Sequence, residues 1–183
     1  MKIRLATGLQ TDSIVDGEGL RTVIWTQGCL HNCYGCHNPE THSFTEGKLV
    51  DVEVIKEELS NLKLQDGVTF SGGDPMCQVD ACLELARHCQ SIGLNVWMYT
   101  GYTLEELLAK DKKNINELLT YIDVLIDGKF EMDKKSYDVM YRGSTNQRII
   151  DVKASLKENK VVTIDKYDNK TSIEKVEENY VYI

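Results

Sequence analysis

The sequence predicts an α/β protein with a mostly parallel sheet, arranged as an open, partial (β/α) barrel. Short β-branched and aromatic runs alternate with segments of helical period between residues 22 and 127, and glycine or proline punctuates their ends. Strands alternating with helices imply crossover connections and parallel neighbours. The 183 residues fall short of the roughly 250 that a closed eight-fold barrel needs.

Residues 22–26 (TVIWT) read as a buried strand that ends at Gln27-Gly28, and residues 51–62 carry Val54, Ile55, Leu59 and Leu62 at helical spacing behind a capping Asp51. Residues 68–71 (VTFS) form the next strand, stopped by Gly72-Gly73-Asp74-Pro75. Val79, Cys82, Ala86 and Cys89 then line one helix face until Gly93, before the strand at 94–99. Helical pieces at 103–109 and 114–121 precede strands at 123–127 and 148–152. Residues 1–152 are thus one core domain. Residues 153–183 form an extension, polar at 153–160, in which 161–164 and 180–183 are read as a hairpin.

An apolar share of 42% fills a single packed core and makes disorder an improper class. The 21 Lys+Arg and 29 Asp+Glu are interspersed and leave a net charge of −8, so no surface for nucleic-acid phosphates is predicted. No apolar run approaches the roughly 20 residues of a membrane span, and residues 1–4 (MKIR) are not followed by an export signal. A cytoplasmic protein with no membrane partner is expected.

Six cysteines are the informative feature. Cys29-x3-Cys33-x2-Cys36 places three thiols on one short loop, close enough to wrap one metal centre, in a chain whose composition favours ligation over disulfides. Three cysteines leave one iron of a [4Fe-4S] cluster without a protein ligand, free to take a small molecule. The alternative is a non-catalytic zinc module in which His31, His37 or His42 completes a Cys3His set; zinc motifs more often carry two close cysteine pairs, and no second pair occurs here.

This triplet resembles the defining loop of the radical S-adenosylmethionine superfamily, and residues 69–76 (TFSGGDPM) resemble that superfamily's glycine-glycine-acid-proline segment. The more specific resemblance is to the activating proteins of anaerobic ribonucleoside-triphosphate reductases. It rests on residues 15–21 (VDGEGLR), 27–39 (QGCLHNCYGCHNP), 71–75, 123–130 (DVLIDGKF) and 142–147 (RGSTNQ). Pyruvate formate-lyase activating enzymes share the Cys-His-Asn stretch and are the nearest alternative; an enzyme of 7-deazapurine biosynthesis is more distant.

The resemblance implies a partial barrel of the radical S-adenosylmethionine type, with Cys29, Cys33 and Cys36 as catalytic iron ligands and S-adenosylmethionine as second cofactor. It implies a glycine loop of the large anaerobic ribonucleotide reductase subunit as substrate, and flavodoxin or a ferredoxin-type protein as electron donor. Gly72, Gly73 and Asp74 would hold the methionyl end, Asp74 placing negative charge near its ammonium. Tyr34 and Asn38 either meet the adenine or carboxylate or shape the loop. Asp127 and Lys129 either meet the ribose or carboxylate or are a solvated strand end, and Thr100 and Gly101 are weaker candidates. Cys82 and Cys89 read as core packing, and Cys77 as structural filling.

Overall fold

The computed structural model describes residues 1–168. The expected strands appear as β3 (Arg21–Thr26), β5 (Gly67–Gly72), β6 (Asn95–Tyr99), β7 (Val124–Asp127) and β8 (Arg148–Asp151). The expected helices are α1 (Val52–Ser60), α2 (Val79–Ser91), α3 (Leu104–Ala109) and α4 (Lys113–Thr120). Local chemistry sets their ends: Asp51 accepts a bond from the Glu53 amide at the start of α1, and Thr103 with Glu106 forms a capping box on α3.

The strands β1 (Lys2–Leu5), β2 (Gln10–Ser13) and β4 (Lys48–Asp51) were not anticipated, and they change the sheet's character. The order is β4-β1-β3-β5-β6-β7-β8, with β2 also on β3. Only β3-β5, β5-β6 and β6-β7 pair in parallel; β1-β3, β1-β4, β2-β3 and β7-β8 are antiparallel. The sheet is therefore mixed rather than mostly parallel, because short antiparallel strands close both sides of a parallel centre.

Period-two alternation gives this sheet two unlike faces. Ile24, Val68, Phe70, Val96, Met98 and Leu125 join buried residues of α1 to α4 in the main core. The opposite face carries Trp97, Val124, Ile126 and Ile149, with Tyr167 packed over them. On that second face the fully buried Arg21 stands beside Trp97, 5.1 Å from the ring centroid. Its guanidinium donates to Thr69 Oγ1 (2.6 Å), Glu18 O (3.0 Å), Asn95 Oδ1 (2.8 Å) and Val68 O (2.8 Å). Burial lowers its pKa to about 10, so Arg21 remains a cation at neutral pH.

Residues 153–160, read from the sequence only as a polar start to the extension, begin inside α5 (Val152–Glu158). The signal was a buried Val152 and Ser155 behind a capping Asp151, whose carboxylate takes the Ala154 amide at 2.8 Å. Thr163 then bridges Ile150 in antiparallel fashion. Of the hairpin expected between 161–164 and 180–183, the second strand lies outside the described residues, and the first meets β8 through that bridge. No helix among the described residues is long and apolar enough to cross a membrane.

Candidate functional site

A cavity of 410 Å³ opens where β3, β5 and β6 end, lined by Trp25, Ser71, Tyr99 and the loops that follow. Carboxyl strand ends are where parallel sheets expose loops able to converge on a ligand. The cysteine loop leaves β3 at Gln27 and returns through β4. Gln27 Nε2 clamps it by donating to Glu40 O (3.0 Å) and Ser43 O (2.8 Å), while the Gly28 amide donates to Thr41 O (2.8 Å).

Cys29, Cys33 and Cys36 all line this cavity and are partly buried. The amides of His31 and Asn38 donate to Cys29 Sγ and Cys36 Sγ, each at 3.4 Å. Burial raises the pKa of Cys29 and Cys33, opposed by the backbone amides of His31 and Phe130 respectively. No fourth cysteine lines the cavity. Among the described residues no three His, Cys, Asp or Glu side chains gather as a single ion requires. The donors suit a cluster, in which each sulfur serves a separate iron and one iron keeps an open position. The Cys3His alternative finds no assembled set among the described residues: His31 is bonded to Asp74, His37 packs against Phe130 with centroids 4.8 Å apart, and His42 lines the cavity without gathering with the cysteines as one ion requires.

Gly72 and Gly73 line the same cavity, and their backbone explains the residue type. The Gly73 amide donates to Thr26 O at 2.8 Å and the Asp74 amide to Gly28 O at 2.9 Å, so two loops meet backbone to backbone. A Cβ on Gly73 would stand 2.3 Å from Gly28 O. Gly73→Ala is expected to cost about 2 kcal/mol, visible as a lower thermal midpoint of the metal-free protein, because neither backbone can yield without opening the cysteine loop.

The other sequence candidates separate. Asn38 lines the cavity, whereas Tyr34 is 85% exposed and outside it. Lys129 is exposed and also outside the lining. Asp127 lies behind the wall, 1% exposed, its carboxylate held by Arg148 (2.5 Å and 2.9 Å) and by the Leu104 amide (2.8 Å). Asp74 is likewise 1% exposed and not part of the lining. Thr100 and Gly101 do line it. Cys82 and Cys89 are fully buried in the core, and Cys77 stands off the cavity with its thiol pushed up by burial to about 11.

The chain matches the family model described as "4Fe-4S single cluster domain" over residues 15–150. It is 39% identical over 145 residues to the anaerobic ribonucleoside-triphosphate reductase-activating protein of Pasteurella multocida, covering 74% of this chain and 90% of that protein. The protein of the same name from Haemophilus influenzae is 38% identical over 146 residues, and that from Escherichia coli K12 34% over 142, each again covered to 90%. The chain belongs to this family of reductase-activating proteins. A solved structure, QueE from Escherichia coli, aligns at TM-score 0.45 and 16% identity over 56% of this chain and 54% of that one, a likeness too slight to argue from.

In this activating-protein chain the sequence reading missed Asp16, Trp25, Ser71, Tyr99, Arg142 and Gln147, all on the cavity wall. Trp25 pairs in register with Ser71, so strand alternation before a ligand loop was the available signal. Arg142 is 7% exposed; it donates to Gln147 O and Tyr167 O and pairs with Asp168, leaving its buried Nε without a partner among the described residues.

Proposed function

We propose that this chain activates an anaerobic ribonucleoside-triphosphate reductase by placing a radical on a glycine of the reductase's large subunit, using a [4Fe-4S] cluster and S-adenosylmethionine. The observation that supports it is three cysteines, with no fourth, sharing one cavity with Gly72 and Gly73 at the carboxyl strand ends. A [4Fe-4S] cluster held by Cys29, Cys33 and Cys36 would supply one electron, itself received from a flavodoxin or ferredoxin-type donor, for reductive cleavage of the sulfonium S–C5′ bond to methionine and a 5′-deoxyadenosyl radical able to take hydrogen from glycine.

The chain's own work is placement. Cys29, Cys33 and Cys36 hold the irons, and the His31 and Asn38 amides direct N–H dipoles at two of the sulfurs, which favours the reduced, more negative state. Gly72 and Gly73 bring backbone close to the methionyl end, with Asn38, Thr100 and Gly101 around it. Trp25 and Phe130 give the cavity an apolar flank. The mixed sheet is read as the wall of an open (β/α) barrel whose mouth admits a protein loop. Residues 1–152 are the unit that carries the chemistry, since every lining residue falls within it.

The test is anaerobic reconstitution with iron and sulfide, reduction, and addition of S-adenosylmethionine with the large reductase subunit. Formation of 5′-deoxyadenosine and a glycyl signal in electron paramagnetic resonance are expected. A glycyl signal on pyruvate formate-lyase but none on the reductase would redirect the assignment, and stoichiometric zinc without iron would end it.

A further inference from the structure

Asp74 sits one layer behind the cavity and is saturated. Oδ1 accepts from the Met76 amide (2.8 Å), Oδ2 accepts from the Gly101 amide (3.1 Å) and meets His31 Nε2 at 2.6 Å, and the Thr100 hydroxyl donates between the two oxygens (3.1 and 3.0 Å). A carboxylate offers about four acceptor positions, so an incoming ammonium would have to displace a partner that is already in place. The His31 ring itself has no freedom. Its side chain is 6% exposed, it meets the Tyr102 ring edge-on at 4.6 Å, and it lies on Gly101, where a Cβ would be 2.4 Å from His31 Cδ2. The same residue's amide donates to Cys29 Sγ.

One residue of the cysteine loop therefore touches a thiol through its backbone, and through its ring reaches both the acid that follows the glycine pair and the end of β6. We infer that His31 and Asp74 form a latch that sets the cysteine loop in register over Gly72 and Gly73. Asp74 is its buried anchor rather than a ligand of the cofactor's ammonium, and His31 is a positioning residue. Gly101 is the surface that keeps the ring in place. This inference rests on reading Cys29, Cys33 and Cys36 as cluster ligands. It departs from the sequence expectation for Asp74, in which the acid itself meets the cofactor.

The experiment uses the full chain, metal-free and reconstituted, as His31→Ala, Gly101→Ala, Asp74→Asn and the His31→Ala/Asp74→Asn pair. Gly101→Ala keeps the carboxylate itself and the amide that bonds it, and its added Cβ presses on the ring. In metal-free protein, hydrogen exchange at the His31 amide is expected to quicken about tenfold in both His31→Ala and Gly101→Ala. In reconstituted protein both are expected to keep their iron, weaken S-adenosylmethionine binding in equilibrium dialysis about tenfold, and shift the cluster midpoint potential negative as the N–H···S bond loosens. Asp74→Asn is expected to cost no further affinity once His31 is alanine.

A further tenfold loss from Asp74→Asn in that background would make Asp74 a ligand and overturn the latch. So would wild-type exchange, potential and affinity in His31→Ala and Gly101→Ala. Because the exchange comparison needs no metal, it decides the latch even if the cysteines prove not to hold a cluster.

Discussion

Replacement of any one of Cys29, Cys33 or Cys36 by serine is expected to abolish cluster assembly, lowering bound iron and acid-labile sulfide to background after anaerobic reconstitution. The loop supplies three thiols and the cavity offers no fourth to substitute, since Cys77 stands off the wall and Cys82 and Cys89 are sealed in the core. Two thiolates leave two irons without protein ligands, and a serine oxygen is a harder donor poorly suited to an iron–sulfur core. The fold should persist in each variant, because all three side chains are only partly buried and the loop is also held by backbone bonds, by Gln27 and by the His31–Asp74 contact, which the substitutions leave in place. Cys82→Ser and Cys89→Ser are the controls. They place a hydroxyl in apolar surroundings, costing about 1–3 kcal/mol of stability, and should retain full iron. Loss of iron in the controls but not in the loop variants would place the metal elsewhere.

Arg21→Ala is expected to be the most damaging single change to stability, about 4 kcal/mol, lowering the thermal midpoint by roughly 8–16 °C. Arg21 is fully buried, yet its acceptors are all neutral: a threonine hydroxyl, an asparagine amide and three main-chain carbonyls. Truncation opens a cavity under Trp97 and strands those acceptors without donors. Glu18 O belongs to the loop that carries Val15 and Asp16 on the cavity wall, and the Thr69 hydroxyl that receives Arg21 Nε donates in turn to Asp16 O at 2.7 Å. Cofactor affinity should therefore fall with stability. Arg21→Lys should recover only part of the loss, since an ammonium cannot reproduce the guanidinium's fan of donors. A variant with wild-type melting would show that the network is dispensable.

Arg21 also marks the limit of what the sequence discloses. Its segment contributes to the family resemblance, but nothing in the order of residues says that the side chain turns into the fold rather than toward a ligand. The parallel centre was legible because β3, β5, β6 and β7 are runs of β-branched and aromatic residues broken at glycine or by an acid. β2 (QTDS) and β4 (KLVD) are four residues long and largely exposed, so pairing with longer neighbours overrides weak propensity there. At the site, spacing singled out the cysteines and the glycine pair, and the fold brings them onto one cavity. Asp74 and Asp127 have the right residue type at the right strand ends, yet each is consumed by partners distant in sequence, His31 and Arg148, which no local pattern reveals. Arg142 was visible as part of a motif, while its position beside the cavity depends on the return of residues 163–168 across the second face of the sheet.

The manner in which the cysteine loop is spliced into the sheet has a mechanical outcome. It departs from β3 and re-enters at β4, and both strands are zipped to opposite edges of β1. A segment held at both ends by the same neighbouring strand keeps its span whether or not it carries cargo. Oxidative damage to an iron–sulfur centre here would empty a standing socket, which can be refilled without rebuilding the molecule around it, unlike a small zinc domain that unravels when its metal leaves.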